Sequence, residues 1–113
     1  MPNYQFGKIY TIRCLNAPNV YVGSTIQTLA VRMGEHRRAY KMNQVLGLRK
    51  EIVKDISEWY IELFELFPCN LKCELEKREG EMTREIGTLN IYIAGRTHKE
   101  YRIDNAKRIS EYN

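Results

Sequence analysis

The chain has 113 residues, of which 43% are apolar and 28% charged. That length fits one domain with a single modest core, the composition excludes wholesale disorder, and no apolar run approaches the roughly 18 residues of a membrane-spanning helix. Charge is unevenly placed: residues 1–50 carry eight Lys and Arg against one acid, Glu35, and the rest of the chain ten against thirteen.

In chain order, residues 7–15 and 19–24 are rich in Ile, Val, Tyr and Thr and flank the turn-forming "NAPN", which predicts a hairpin. Its register decides whether Tyr10 and Tyr21 share a face. A helix is expected from about Thr25 to Tyr40, opened by a Ser24/Gln27 capping box, with Leu29, Met33, His36 and Tyr40 as its inward stripe and Arg32 on the stripe's edge. Residues 45–56 read as a second helix with Leu46, Ile52, Val53 and Ile56 inward, and Glu58–Leu66 as a strand with Trp59, Ile61 and Leu63 on one face. Pro68 ends that strand. Asn70 is the expected cap of a helix running to about Thr88 with Leu71, Leu75, Met82, Ile86 and Leu89 as its apolar positions. A last helix is expected from Thr97 to about Tyr112.

The stripe of the 70–88 helix has a hole. Four residues after Leu75 and three before Met82 stands Glu79, so a carboxylate points where the core should be. A buried charge needs a cation, a hydrogen-bond set or a cleft. Glu74, Glu76, Glu81 and Glu85 do not break the stripe and read as solvated. Three cysteines, Cys14, Cys69 and Cys73, argue against a disulfide framework, and no second pair or spaced histidines complete a zinc site. All three read as packing residues.

The polar groups at inward or cleft-edge positions are Tyr10, Tyr21, Arg32, His36 and Glu79. A carboxylate, a guanidinium, phenols and an imidazole make a phosphodiesterase set. A cation on the carboxylate would neutralise phosphate, Arg32 would stabilise the pentavalent transition state, and a phenol or imidazole would take a proton from water. A tyrosine with a pKa of about 10 needs positive charge beside it for that task, and Lys8 and Arg32 are the candidates. Singly, each residue also has a plain reading: packing for a strand tyrosine, a satisfied core group for His36, a structural partner of Glu79 for Arg32.

Their order says more. "GKIY…YVGST…R…H…E…LN" resembles the GIY-YIG endonuclease family. Lys8-Ile9-Tyr10 stands for its first tripeptide and Tyr21-Val22-Gly23 for its second. Arg32, His36, Glu79 and Asn90 match the family's arginine, frequent histidine, metal-binding glutamate and following asparagine. Lys8, at the first glycine's position, is the one departure. The resemblance covers about residues 7–90.

It implies an α/β fold of the α+β type, a central three-stranded antiparallel sheet flanked by helices, in a single domain over residues 1–113 with a C-terminal helical tail at about 96–113. It also implies cleavage of nucleic-acid phosphodiesters with one Mg²⁺ or Mn²⁺ per site. Carried over, Tyr10 is the expected general base and Tyr21 its support, roles that exchange easily. Arg32 is expected to stabilise charge, His36 to contact phosphate or assist proton transfer, and Glu79 to bind the metal. Lys8, Gly23, Arg37, Arg38 and Asn90 are expected to support the site or the nucleic acid. DNA is the expected partner and RNA the alternative, with monomer or homodimer left open. With no signal-peptide pattern in "MPNYQFGKIY", a cytoplasmic or nuclear location is expected. Two rival readings are a non-catalytic nucleic-acid-binding module on the same fold and a structural or protein-interaction domain.

Overall fold

Alternating β-branched and aromatic residues in "KIYTIRC" form the central strand of the protein. The computed structural model describes residues 2–42, 53, 55–90 and 94. Among them the order is β1 (Lys8–Cys14), β2 (Ala17–Thr25), α1 (Leu29–Lys41), β3 (Trp59–Leu66) and α2 (Lys72–Ile86), with short 3₁₀ turns at Tyr4–Phe6 and Ile56–Glu58. The strands make an antiparallel sheet in the order β2-β1-β3, an α+β arrangement.

The hairpin closes tighter than the sequence implied. Leu15 and Asn16 alone form the turn, Cys14 pairs with Ala17, and Ala17, Pro18 and Asn19 already belong to β2. Pro18 is tolerated because β2 is the sheet's outer strand, where a missing N–H breaks no ladder bond. Tyr10 pairs with Gly23 and Ile12 with Tyr21, so the two phenols lie diagonally on one face. Trp59, Ile61 and Leu63 share that face, paired with Cys14, Ile12 and Tyr10. A bulge at Phe64 shifts the register beyond Tyr10.

Both faces of β1 are covered. Tyr10, Ile12, Cys14 and Tyr21 pack with Met33 of α1 and with Val53, Ile56, Trp59 and Leu89. On the other face Ile9, Val20 and Val22 pack with Cys69 and with Leu75 and Met82 of α2. Truncating a core residue such as Ile12 to alanine is expected to cost about 2–5 kcal/mol. Arg78 ties α2 to β3 through paired bonds to Glu65, Nε at 2.8 Å and Nη2 at 2.6 Å.

Several local expectations are corrected. The first helix begins at Leu29, not Thr25: Thr28 is its cap, accepting from Val31 N, because the Ser24 hydroxyl is engaged with Glu79. Leu71, not Asn70, is the N-cap of α2. The Glu74 carboxylate reaches back to the N–H groups of Leu71 (2.9 Å) and Asn70 (3.2 Å), while Asn70 Oδ1 accepts from Gln5. That helix ends at Ile86, and Leu89 lies beyond it in the core on the opposite face from Leu75. Leu71 is exposed. Ile56 starts a 3₁₀ turn capped by Asp55 and does not end a helix. The rest of that predicted helix, over 43–52 and 54, and the helix predicted from Thr97 lie outside the described residues. Cys14 and Cys69 are buried, but Cys73 is exposed on α2 and is not a packing residue.

Candidate active site

β1 and β2 present Tyr10 and Tyr21 toward α1, whose stripe delivers Arg32 and His36 one turn apart. The three rings form a tilted and edge-on cluster: centroids lie 6.3 Å apart for Tyr10 and Tyr21, 5.9 Å for Tyr10 and His36 and 5.1 Å for Tyr21 and His36. Gly23 is the floor beneath Tyr10, because a Cβ there would run into the phenol ring.

The Tyr10 hydroxyl is the hub. Arg32 Nε donates to it at 3.0 Å, His36 Nε2 lies 2.8 Å away, and the Tyr21 hydroxyl is a further polar neighbour. Tyr10 is fully buried, and desolvation raises its pKa to about 12 against the lowering pull of the Arg32 charge. Desolvation, with the charges of Tyr10 and Glu79 adding to it, pushes Tyr21 higher still. His36 is 2% exposed, and burial beside the Arg32 cation lowers its pKa to about 3, so the imidazole is neutral. A phenol oxygen has two lone pairs and one proton. Arg32 can only donate and fills one lone pair, so the tautomer of the neutral His36 decides whether Nε2 accepts the phenol's proton or donates to its other lone pair.

Lys8 is not the cation that acts on Tyr10. Its Nζ donates to the Gln27 carbonyl at 2.7 Å, tying the start of β1 to the loop before α1. Arg32 fills that role and also pairs through Nη1 with Glu35 at 3.5 Å. Arg37 and Arg38 are exposed on α1, away from the ring cluster.

Glu79 turns inward from α2. Its Oε1 accepts a hydrogen bond from the Ser24 hydroxyl, and burial raises its pKa despite that bond. A cleft of about 470 Å³ is lined by Tyr4, Ser24, Arg32, Lys72, Glu76 and Glu79, among others. Glu79 and Arg32 therefore face one space, and the charge of Glu79 reaches both tyrosines. Asn90 makes two bonds to the Val22 backbone, accepting from N at 3.0 Å and donating to O at 2.7 Å.

The sequence reading missed Ser24, Glu76 and Lys72 at the cleft. Ser24 looked like a helix cap, and Glu76 like a solvated acid, although it lies three residues before Glu79 on the same helix face.

A divalent cation is the group this arrangement suits. Glu79 is a desolvated carboxylate that makes no ion pair among the described residues. No cluster of three or more acidic, His or Cys side chains is present among them. One hard oxygen ligand with room for phosphate oxygens and water matches the habit of Mg²⁺, which seldom occupies an all-protein cage.

A three-stranded antiparallel sheet with a helix on each face defines a small α+β domain. The sequence matches the GIY-YIG catalytic domain over residues 6–90, and the chain belongs to that family, which is one of nucleases acting on DNA. No curated protein and no solved structure matches it. No described helix is long and apolar enough to cross a membrane.

Proposed function

We propose that the chain is a divalent-metal-dependent endonuclease that hydrolyses DNA phosphodiester bonds, with Tyr10 as general base, Arg32 stabilising charge on the phosphorane and Glu79 holding one Mg²⁺ or Mn²⁺. The observation that carries this reading is the convergence of Arg32 and His36 on the Tyr10 hydroxyl, with Arg32 reaching also into the cleft that Glu79 faces.

Arg32 bridges the buried phenol and the open cleft. A scissile phosphate in the cleft competes for the guanidinium, whose planar fork matches phosphate oxygens. As the guanidinium turns to it, a lone pair on Tyr10 is freed and a route opens for water. Tyr10 acts as the phenolate, its own proton lost to solvent through the His36 contact; water attacks phosphorus opposite the departing 3′-oxygen and its proton passes to that phenolate. The P–O3′ bond breaks and the 3′-oxygen takes a proton from solvent, leaving 5′-phosphate and 3′-hydroxyl ends. A cation on Glu79 supplies neutralisation of phosphate and leaving-group charge. His36 is too buried to touch phosphate, so proton transfer is the one of its two expected roles that its position favours. Tyr21, with the higher pKa, remains neutral. The exposed Arg37, Arg38 and Lys41 give α1 a basic outer face for the DNA backbone.

Plasmid nicking in Mg²⁺ tests the reading. Wild-type protein is expected to nick and Glu79→Ala to bind DNA without nicking. Equal nicking by Glu79→Ala would overturn the metal role. Salt-sensitive binding with no cleavage by wild type would point instead to the non-catalytic module.

A further inference from the structure

We propose that Ser24 is the positioning residue for Glu79, fixing which carboxylate lone pairs face the cleft; this rests on the reading of Glu79 as the metal ligand. Ser24 is the penultimate residue of β2 and pairs with Ile9, on the sheet face that α2 covers. Its hydroxyl donates to Glu79 Oε1 across the sheet–helix interface, and both residues line the cleft beside Arg32.

Glutamate has three rotatable side-chain bonds, so a carboxylate midway along a helix must be held to be aimed. The nearby ammonium of Lys72 is engaged with Glu76 at 3.6 Å and does not hold Glu79. Among the described residues the side-chain donor on Glu79 is Ser24. β2 thus carries Tyr21 on one face and Ser24 on the other, three residues apart, and its backbone sets phenol and carboxylate in one frame. The hydroxyl bond occupies one lone pair of Oε1, the Ser24 backbone N–H, which Ser24→Ala retains, also serves the carboxylate, and the remaining lone pairs are left for a cation.

Hydrogen bonds to a metal-binding carboxylate typically change metal affinity about 10–100-fold. Mn²⁺ is titrated by calorimetry and by loss of its free electron-paramagnetic-resonance signal into wild type, Ser24→Ala, Ser24→Thr and Glu79→Ala, with melting followed by circular dichroism. Ser24→Ala is expected to weaken Mn²⁺ binding about 10-fold or more, while Ser24→Thr, which keeps the hydroxyl, binds like wild type. Wild-type affinity in Ser24→Ala, or equal weakness in both Ser24 variants with folding intact, would overturn the proposal. Ser24→Cys, similar in size but a weak donor, replaces Ser24→Ala should that variant not fold. Glu79→Ala separates the two readings. If it still binds Mn²⁺, the metal-ligand reading fails; if it loses binding while Ser24→Ala does not, only the role of Ser24 fails.

Discussion

Arg32 and a lysine would carry the same charge, but lysine could not do the same work here. The guanidinium reaches Tyr10 through Nε and Glu35 through Nη1 while still lining the cleft. A single ammonium cannot keep those directions at once. Arg32→Lys is expected to fold normally by circular dichroism and to lose about 100-fold or more in single-turnover cleavage rate. Less than tenfold loss would mean that charge alone suffices. At this scale the sequence was legible in part: Arg32 reaches the Tyr10 hydroxyl and also lines the cleft that Glu79 faces, whereas Tyr10 and Tyr21 lie buried on the other face of the sheet from Ser24. It was not legible for Ser24, because a hydroxyl before a helix is equally a cap, and only the engagement with Glu79 decides. Nor could it give the neighbours of the Tyr10 hydroxyl, which come from a second strand, β2, and from α1.

The outer edge of β2 is the element on which the site leans. Its backbone groups are met by residues after α2: Thr88 and Leu89 N–H groups donate to Val20 O, Thr88 Oγ1 accepts from Val20 N, and Asn90 saturates Val22. The segment closes the edge as an added strand would and sends Leu89 into the core of the tyrosine face. Asn90→Ala leaves a buried N–H and C=O without side-chain partners beside Tyr21 and Gly23. A loss of about 1–3 kcal/mol in urea unfolding is expected, with a drop in cleavage rate at a temperature where the variant is fully folded. Unchanged stability would show that water replaces the amide at no cost. The sequence marked Asn90 through its place after "TL" and left its role open between ordering the site and holding backbone, because side-chain bonds to a strand edge have no periodicity. Helix ends were misread for the same reason. Thr28 and Glu74 do the capping, and which of several neighbouring hydroxyls and carboxylates caps a helix depends on what else engages them.

Across the whole molecule, the buried ring cluster sets the pH range of stability. His36 has a folded pKa of about 3, below its unfolded value of about 6.5. The unfolded state therefore binds the extra proton, and stability falls as pH drops through that interval. Tyr10, raised to about 12, acts at the other end, where the unfolded phenol ionises first and stability falls as pH rises above about 10. The raised pKa of Glu79 opposes the acid-side trend, since its contribution is lost as pH rises from the usual carboxylate range toward its folded value. Urea unfolding of wild type and His36→Gln between pH 3 and 7 isolates the histidine: the difference in stability should shrink on acidification, by up to a few kcal/mol. A pH-independent difference would mean that His36 is not held neutral.

The central claim is that Tyr10 takes the proton from water. Its most direct test is single-turnover cleavage of a Mg²⁺-saturated DNA substrate from pH 7 to 9, at subsaturating protein, for wild type and Tyr10→Phe. With a base titrating near 12, the wild-type rate should climb about tenfold per pH unit, and Tyr10→Phe should lose about 100-fold or more and lose the slope with it. A wild-type rate flat across that range, or a Tyr10→Phe protein that cleaves as fast with the same slope, would contradict the account.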